Sequence, residues 1–353
     1  MTESSNTSPD TAVDDAVRAL PAGFALIAED PQLGPSIAAS LEKVETQLLE
    51  AIANSDPFAN ATSRHLAQAG GKRIRPLLAL LASHLGPDPD NAKVIQAAVV
   101  VELTHLATLY HDDVMDSAPL RRGAPTAHEV WGNSVAVLTG DLIFARASSL
   151  VSELGGEALG IQARTFERLC LGQLHETVGP HDGQGPLEHY LAVISGKTAS
   201  LIAASGQLGA LFAGADREAV DIMVEYGEKV GTAFQLADDV IDVTGRKAKS
   251  GKTPGTDLRE GIPTLPVLLL RDNAAAGDAE AAAVLELVDG DLSSDAALAA
   301  AVEALRENPA TAQAWAVARQ WSDDAVAALE PLPDSVVKQS LAGFARAVVE
   351  RDV

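Results

Sequence analysis

Two stretches of the 353-residue chain carry three carboxylates in the same pattern. One reads His111, Asp112, Asp113, Val114, Met115, Asp116; the other reads Gln235, Leu236, Ala237, Asp238, Asp239, Val240, Ile241, Asp242. Each is a DDxxD box that closes a largely apolar segment, Val99 to Asp116 and Tyr226 to Asp242. On a helix, residues four apart lie about 40° apart around the axis, so the first and last aspartates of each box share a face. A carboxylate at a helix C-terminus sits at the negative end of the macrodipole, where stability alone favours a cation. Two such placements ask for a compensating charge. Oxygen clusters that keep water and share a metal with phosphate are the usual environment of Mg²⁺, so the spacing predicts paired boxes that face each other and cage a metal-bound diphosphate. A solvated acidic helix end would explain one box; a repeat with matching upstream helices is harder to explain that way.

Cations follow each box within one loop: Arg121 and Arg122 after the first, and Arg246, Lys247, Lys249 and Lys252 after the second. Carboxylates would hold the metals while Arg and Lys contact the remaining phosphate oxygens. A further basic cluster, Gly70 to Pro76 (GGKRIRP), precedes an apolar helix. Its glycines let the backbone approach an anion, and Lys72 with Arg75 would present two charges on one side of the first turn. His105 lies seven residues before Asp112, hence about 20° from it on the helix. No Ser, Cys or His triad is apparent. Cys170, between Leu169 and Leu171, reads as a small packed thiol, and as the sole cysteine it excludes an internal disulfide.

The elements that must position these residues are helices. Leu, Ala, Val and Ile recur at spacings of three and four, and alternating β-branched clusters are missing almost everywhere, an all-α pattern. Breaks rich in Gly, Pro or Asp fall at Gly86 to Asp90, Ser117 to Pro125, Gly179 to Gly185, Gly245 to Gly255 and Ala274 to Asp278. None is distinct enough to be an interdomain linker, which predicts a solvated tail over 1–17 and one helical domain over 18–353. The segment Ala274 to Leu292 reads as a peripheral insertion. The N-terminus lacks the basic and apolar regions of a signal peptide, and no uninterrupted apolar run reaches membrane-span length, so the expectation is a soluble, cytoplasmic protein. A formal charge of −23 repels nucleic acid and anionic lipid.

These motifs together resemble the trans-polyprenyl (isoprenyl) diphosphate synthase family. The likeness comprises GGKRIRP at Gly70 to Pro76, HDDVMD at His111 to Asp116 with LRRG at Leu120 to Gly123, GKT at Gly196 to Thr198, and FQLADDVID at Phe234 to Asp242. It implies a single large helical bundle around a central cavity, the type I isoprenoid synthase fold. Isopentenyl diphosphate and an allylic diphosphate would be the substrates, Mg²⁺ the cofactor, and a homodimer the assembly. By resemblance Asp112, Asp113, Asp116, Asp238, Asp239 and Asp242 are Mg²⁺ ligands, with Asp112, Asp116 and Asp238 the direct contacts. Arg121, Lys197, Thr198, Gln235 and Lys252 contact the allylic diphosphate or its metals. Lys72, Arg75, His105 and Arg122 form the isopentenyl diphosphate site. Asp112, Asp116, Lys197 and Asp238 carry the catalysis.

The chemistry needs no protein nucleophile: cations and metal stabilise the departing diphosphate, and the double bond of isopentenyl diphosphate attacks the allylic carbocation. In the family's usual account the released diphosphate takes the proton. The chain departs from the family where a Gly-Lys-x-Thr-x-Pro context is frequent. Here Gly261 is followed by Ile262, Pro263, Thr264, Leu265 and Pro266, and Lys252 or Arg259 would have to supply the charge.

Product length follows, by resemblance, from the residues four and five before the first aspartate, where bulky aromatics give short products. Here they are Thr108 and Ala107, which implies a long product, heptaprenyl to decaprenyl, for a quinone side chain. The alternative is a short-chain synthase making geranyl to geranylgeranyl diphosphate. A terpene cyclase is disfavoured by the second DDxxD, and a non-catalytic partner subunit by the intact boxes. A product this apolar would give at most transient membrane contact.

Overall fold

The computed structural model describes residues 22–245 and 254–350. The expected 1–17 tail lies outside them, as do Arg246, Lys247, Lys249 and Lys252. The fold is all-α: among the described residues the only strands are β1 (Leu120–Arg121) and β2 (Ala124–Pro125), an antiparallel pair with Arg121 opposite Ala124. The described residues fall into two compact units. Unit 1 takes the chain up to Glu167, Leu201–Gly227 and Pro331–Gly343; unit 2 takes Arg168–Ser200, Glu228–Glu330 and the chain from Phe344.

In unit 1, helices α1 (Leu33–Ala51), α2 (Pro57–Gln68), α3 (Ile74–Ser83) and α5 (Asn133–Leu154) each pack on α4 (Ala92–Met115). From Val94 to Tyr110 nearly every side chain of α4 is buried, as expected of a helix apolar on all sides. Its polar groups are accounted for internally: Gln162 donates to Thr104 Oγ1 at 2.7 Å, and Tyr110 donates to the Thr62 carbonyl at 2.6 Å. Over an 18-residue window α4 and α5 each reach a mean hydropathy of 1.4, enough for a membrane span, although neither is an uninterrupted apolar run. The α4 window is two-thirds buried, as in a soluble core helix.

Helix α6 (Gly156–Val178) continues into unit 2, where α7 (Pro186–Ile194) leads through a π turn, Ser195–Ala199, into α8 (Ser200–Phe212). Helix α9 (Arg217–Thr244) carries the second box. Downstream, α10 (Leu265–Ala275), α11 (Ala279–Val288), α12 (Asp295–Glu307) and α13 (Pro309–Ala328) pack in succession, and α14 (Val336–Val349) closes the described chain.

The structure differs from two sequence expectations. The segment Ala274 to Leu292 is not peripheral: Ala281, Val284, Val288 and Leu292 are buried in one cluster with Val243, Leu258, Leu270, Leu298 and Leu305. Asp278 caps α11 by accepting from the backbone of Glu280 and Ala281, so an Ala-rich stretch folds as a core helix. Cys170 is exposed rather than packed, because only its neighbour Leu169 faces inward. Partial burial pushes its thiol pKa up, which is the opposite of an activated nucleophile.

Candidate active site

In unit 1 the first box forms the last turn of α4. Asp112 is half-buried, Asp116 is exposed at the C-cap, and Asp113 between them has no exposure at all. Arg121 on β1 donates through Nε to Asp113 Oδ1, while Asp113 Oδ2 is buried with no hydrogen-bond partner. What aims Arg121 is the hairpin itself. Its two connecting residues, Arg122 and Gly123, have φ of 53° and 79°, the pair of positive angles a type I′ turn requires. An arginine in that region is uncommon, and here it is held by donating to the carbonyls of Gly70 and Leu66.

The GGKRIRP segment meets this hairpin through Arg122. Arg73, also at positive φ (48°), precedes α3 and pairs with Glu45 at 2.8 Å and with buried Glu102 at 2.9 Å. A local rule broken by a residue with three carboxylate contacts is strain paid for by electrostatics. Arg75 stands two residues on, with its Nε buried and unpartnered. Burial pushes its guanidinium pKa down, Glu102 opposes that, and Arg122 adds to it. His105 is held well below its ordinary range, first by burial and then by the charges of Arg75, Arg122, Arg121 and Arg73. A neutral imidazole within the field of four guanidiniums, one with an orphaned donor, is an anion-receptive arrangement. Lys72 is exposed at its edge.

In unit 2 the second box repeats the division of labour with different partners. Asp238 and Asp242 are half-buried and Asp239 is 5% exposed. Tyr190 on α7 donates its hydroxyl to Asp239 Oδ2, and Gln235 donates to Oδ1 at 2.9 Å. Gln235 in turn accepts from Thr198 Oγ1 at 3.1 Å, which ties the GKT turn to the box. Burial raises the Asp239 carboxyl to about 6; the Tyr190 and Gln235 hydrogen bonds oppose this, and Asp238 and Asp242 add to it. Asp242 Oδ2 accepts the backbone N–H of Asp257 at 3.2 Å. Lys197, in the π turn, meets Glu176 on α6 at 2.5 Å.

The structure thus groups Asp112, Asp113, Asp116, Arg121, Arg122, Arg75 and His105 in unit 1, and Lys197, Thr198, Gln235, Asp238, Asp239 and Asp242 in unit 2. Of the two residues expected to compensate for Ile262, Lys252 lies outside the described residues and Arg259 pairs with Asp295 at 2.6 Å. Ala107 is buried, and Thr108 donates to its own helix at His105 O, 2.8 Å. Sequence reasoning assigned no role to Arg73, Glu45, Glu102, Tyr190 or Glu176; of these only Arg73 lay inside a motif.

Among the described residues no three His, Cys, Asp or Glu side chains could by themselves hold a metal ion. Each box presents instead an outer pair of hard oxygen donors on one face. That suits Mg²⁺, which is held by one or two carboxylates, water and substrate phosphate rather than by an all-protein cage.

Two carboxylate boxes suited to Mg²⁺ and a cluster of guanidiniums suited to anions, on an all-α fold, are the equipment of an enzyme for phosphorylated substrates. Comparison with known proteins makes it particular. The Polyprenyl synthetase family profile matches residues 56–305. The nonaprenyl diphosphate synthase of Mycobacterium tuberculosis is 43% identical over 323 residues, covering 91% of this chain and 95% of that one. A geranylgeranyl pyrophosphate synthase from Corynebacterium glutamicum, solved with calcium and isoprenyl diphosphate, superimposes with a TM-score of 0.81 at 43% identity, covering 91% and 98%. A decaprenyl diphosphate synthase from Rhodobacter capsulatus gives 0.79 at 34%, covering 89% and 97%. The chain belongs to the polyprenyl synthetase family and is a prenyltransferase.

Proposed function

We propose that the protein condenses isopentenyl diphosphate with an allylic diphosphate, using Mg²⁺, to build a long all-trans polyprenyl diphosphate for a quinone side chain. The observation that carries the reading is the repeated box, in which the central aspartate is buried and the outer pair shares one face. When bound, the metal neutralises the allylic diphosphate and lowers the barrier to its departure. Within each box the outer aspartates would hold metal, Asp112 and Asp116 in the first and Asp238 and Asp242 in the second, while Asp113 and Asp239 orient what surrounds them. Asp113 accepts from Arg121, which the hairpin aims, and Asp239 fixes Gln235 and through it Thr198. By resemblance Arg121 in unit 1, Lys197, Thr198 and Gln235 in unit 2, and Lys252 would contact the allylic diphosphate or its metals. Arg75 and Arg122 take the diphosphate of the extending unit beside neutral His105, and Lys72 adds charge at the rim.

The long product is supported by the nonaprenyl and decaprenyl relatives and by small side chains at Ala107 and Thr108. The geranylgeranyl synthase at 43% identity favours the shorter reading. Incubation with labelled isopentenyl diphosphate, Mg²⁺ and separate geranyl, farnesyl and geranylgeranyl primers decides between them. Polyprenols of seven or more units are expected, and products ending at geranylgeranyl would overturn the long-chain reading. Ala107→Phe should shorten the product. The proposal includes a homodimer, for which Val137 and Leu138 on α5, 39% and 66% exposed, offer apolar surface. It also includes a cytoplasmic protein with at most transient membrane contact at product release.

A further inference from the structure

Arg168, Gly172 and Glu176 recur every four residues along one face of α6, and each meets the π turn. At Gly172 a Cβ would fall 2.7 Å from Lys197 N and 3.1 Å from Gly196 C, so only glycine permits this approach. Glu176 reaches the Lys197 ammonium. Arg168 takes both oxygens of Glu228 on α9, at 2.5 and 2.9 Å, and its Nη2 also donates to Ser195 Oγ at 2.9 Å and Ser195 O at 3.2 Å. That carbonyl already accepts from Ser200 N–H five residues on, the bond that makes the turn a π turn. Ser200 Oγ adds a bond to Gly196 O at 2.6 Å.

A π turn is a wide, unfavourable ring inside an α-helical run and persists where something outside the helix fixes it. Arg168 is that external group, and Glu228 fixes Arg168. The two side chains are 41% and 27% exposed, and ion pairs at such exposure contribute little to global stability. What the bidentate pair does fix is geometry.

We propose that Arg168 and Glu228 are a positioning pair for prenyl transfer: by clamping Ser195 they set the π turn in the register from which Lys197 and Thr198 meet the allylic diphosphate. Neither touches substrate. The inference rests on the reading of Lys197 as a diphosphate contact.

A double-mutant cycle in the full chain tests it. Arg168→Ala and Glu228→Gln are each expected to lower kcat/KM for the allylic substrate about ten-fold, leaving KM for isopentenyl diphosphate unchanged. In a Lys197→Ala background the same substitutions should cost less than about two-fold, because the group they position is gone. Arg168→Lys should not restore activity, since an ammonium lacks the planar fork. Equal losses in both backgrounds, or losses shared by both substrates, would overturn the proposal. Should Arg168→Ala lower the melting temperature, Glu228→Gln carries the cycle alone. If the parent chain condenses nothing, the prenyl-transfer reading fails instead, and the cycle is then read from inorganic pyrophosphate binding in Mg²⁺.

Discussion

The two acidic boxes share their letters and differ in what their central aspartate meets. In the first, Asp113 is sealed from solvent and balanced by a cation, Arg121, delivered by a two-residue hairpin eight positions on. In the second, Asp239 is nearly as buried, yet Tyr190 and Gln235, which donate to it, are neutral, and burial raises its carboxyl to about 6. The outer aspartates keep the same i, i+4 face in both. The DDxxD spacing therefore specifies which oxygens share a face, while the surroundings of the central aspartate are set by burial and by residues outside those five positions.

Three variants sharpen that contrast. The largest effect is expected for Arg121→Ala, which leaves Asp113 buried without its counter-charge. Loss of one partner of a buried pair costs about 3 kcal/mol, measured as a lowered urea midpoint in metal-free protein. Tyr190→Phe removes a neutral hydrogen bond from Asp239 and should cost about 1 kcal/mol in the same experiment. Equal costs for the two would break the comparison.

The smallest effect concerns His105. Its folded-state pKa lies below the ordinary 6.5, so the unfolded chain takes up a proton first as the pH falls. Its contribution is present above about pH 6.5 and is lost below it. His105→Gln should therefore flatten the fall in stability between about pH 7 and pH 5.5, and an unchanged slope would place the titration elsewhere.

The sequence was most legible where physics is local. Helical periodicity, the C-terminal position of both boxes and the shared face of their outer aspartates all follow from 3.6 residues per turn. What was illegible depends on partners far along the chain. Arg122 in a type I′ turn breaks its own conformational preference, and only the carbonyls of Leu66 and Gly70, more than fifty residues away, make that position tenable. Tyr190 lies 49 residues from Asp239, and Arg168 lies 60 from Glu228. No spacing rule reaches that far. The π turn was equally hidden, because Gly196, Lys197 and Thr198 carry no propensity for it and the register is imposed from α6. The Ala274 to Leu292 segment misled for a compositional reason: alanine is too small to mark a core by hydrophobicity, yet it lets α11 pack closely.

On the proposed reading each box engages diphosphate through a metal held by its outer aspartates. Calorimetric titration of inorganic pyrophosphate into the parent chain, Asp112→Asn and Asp238→Asn, with and without Mg²⁺, tests it most directly. Mg²⁺-dependent binding in the parent, weakened at least about ten-fold by either substitution, is the predicted result. Parent-like affinity in either variant, or binding indifferent to Mg²⁺, would contradict it.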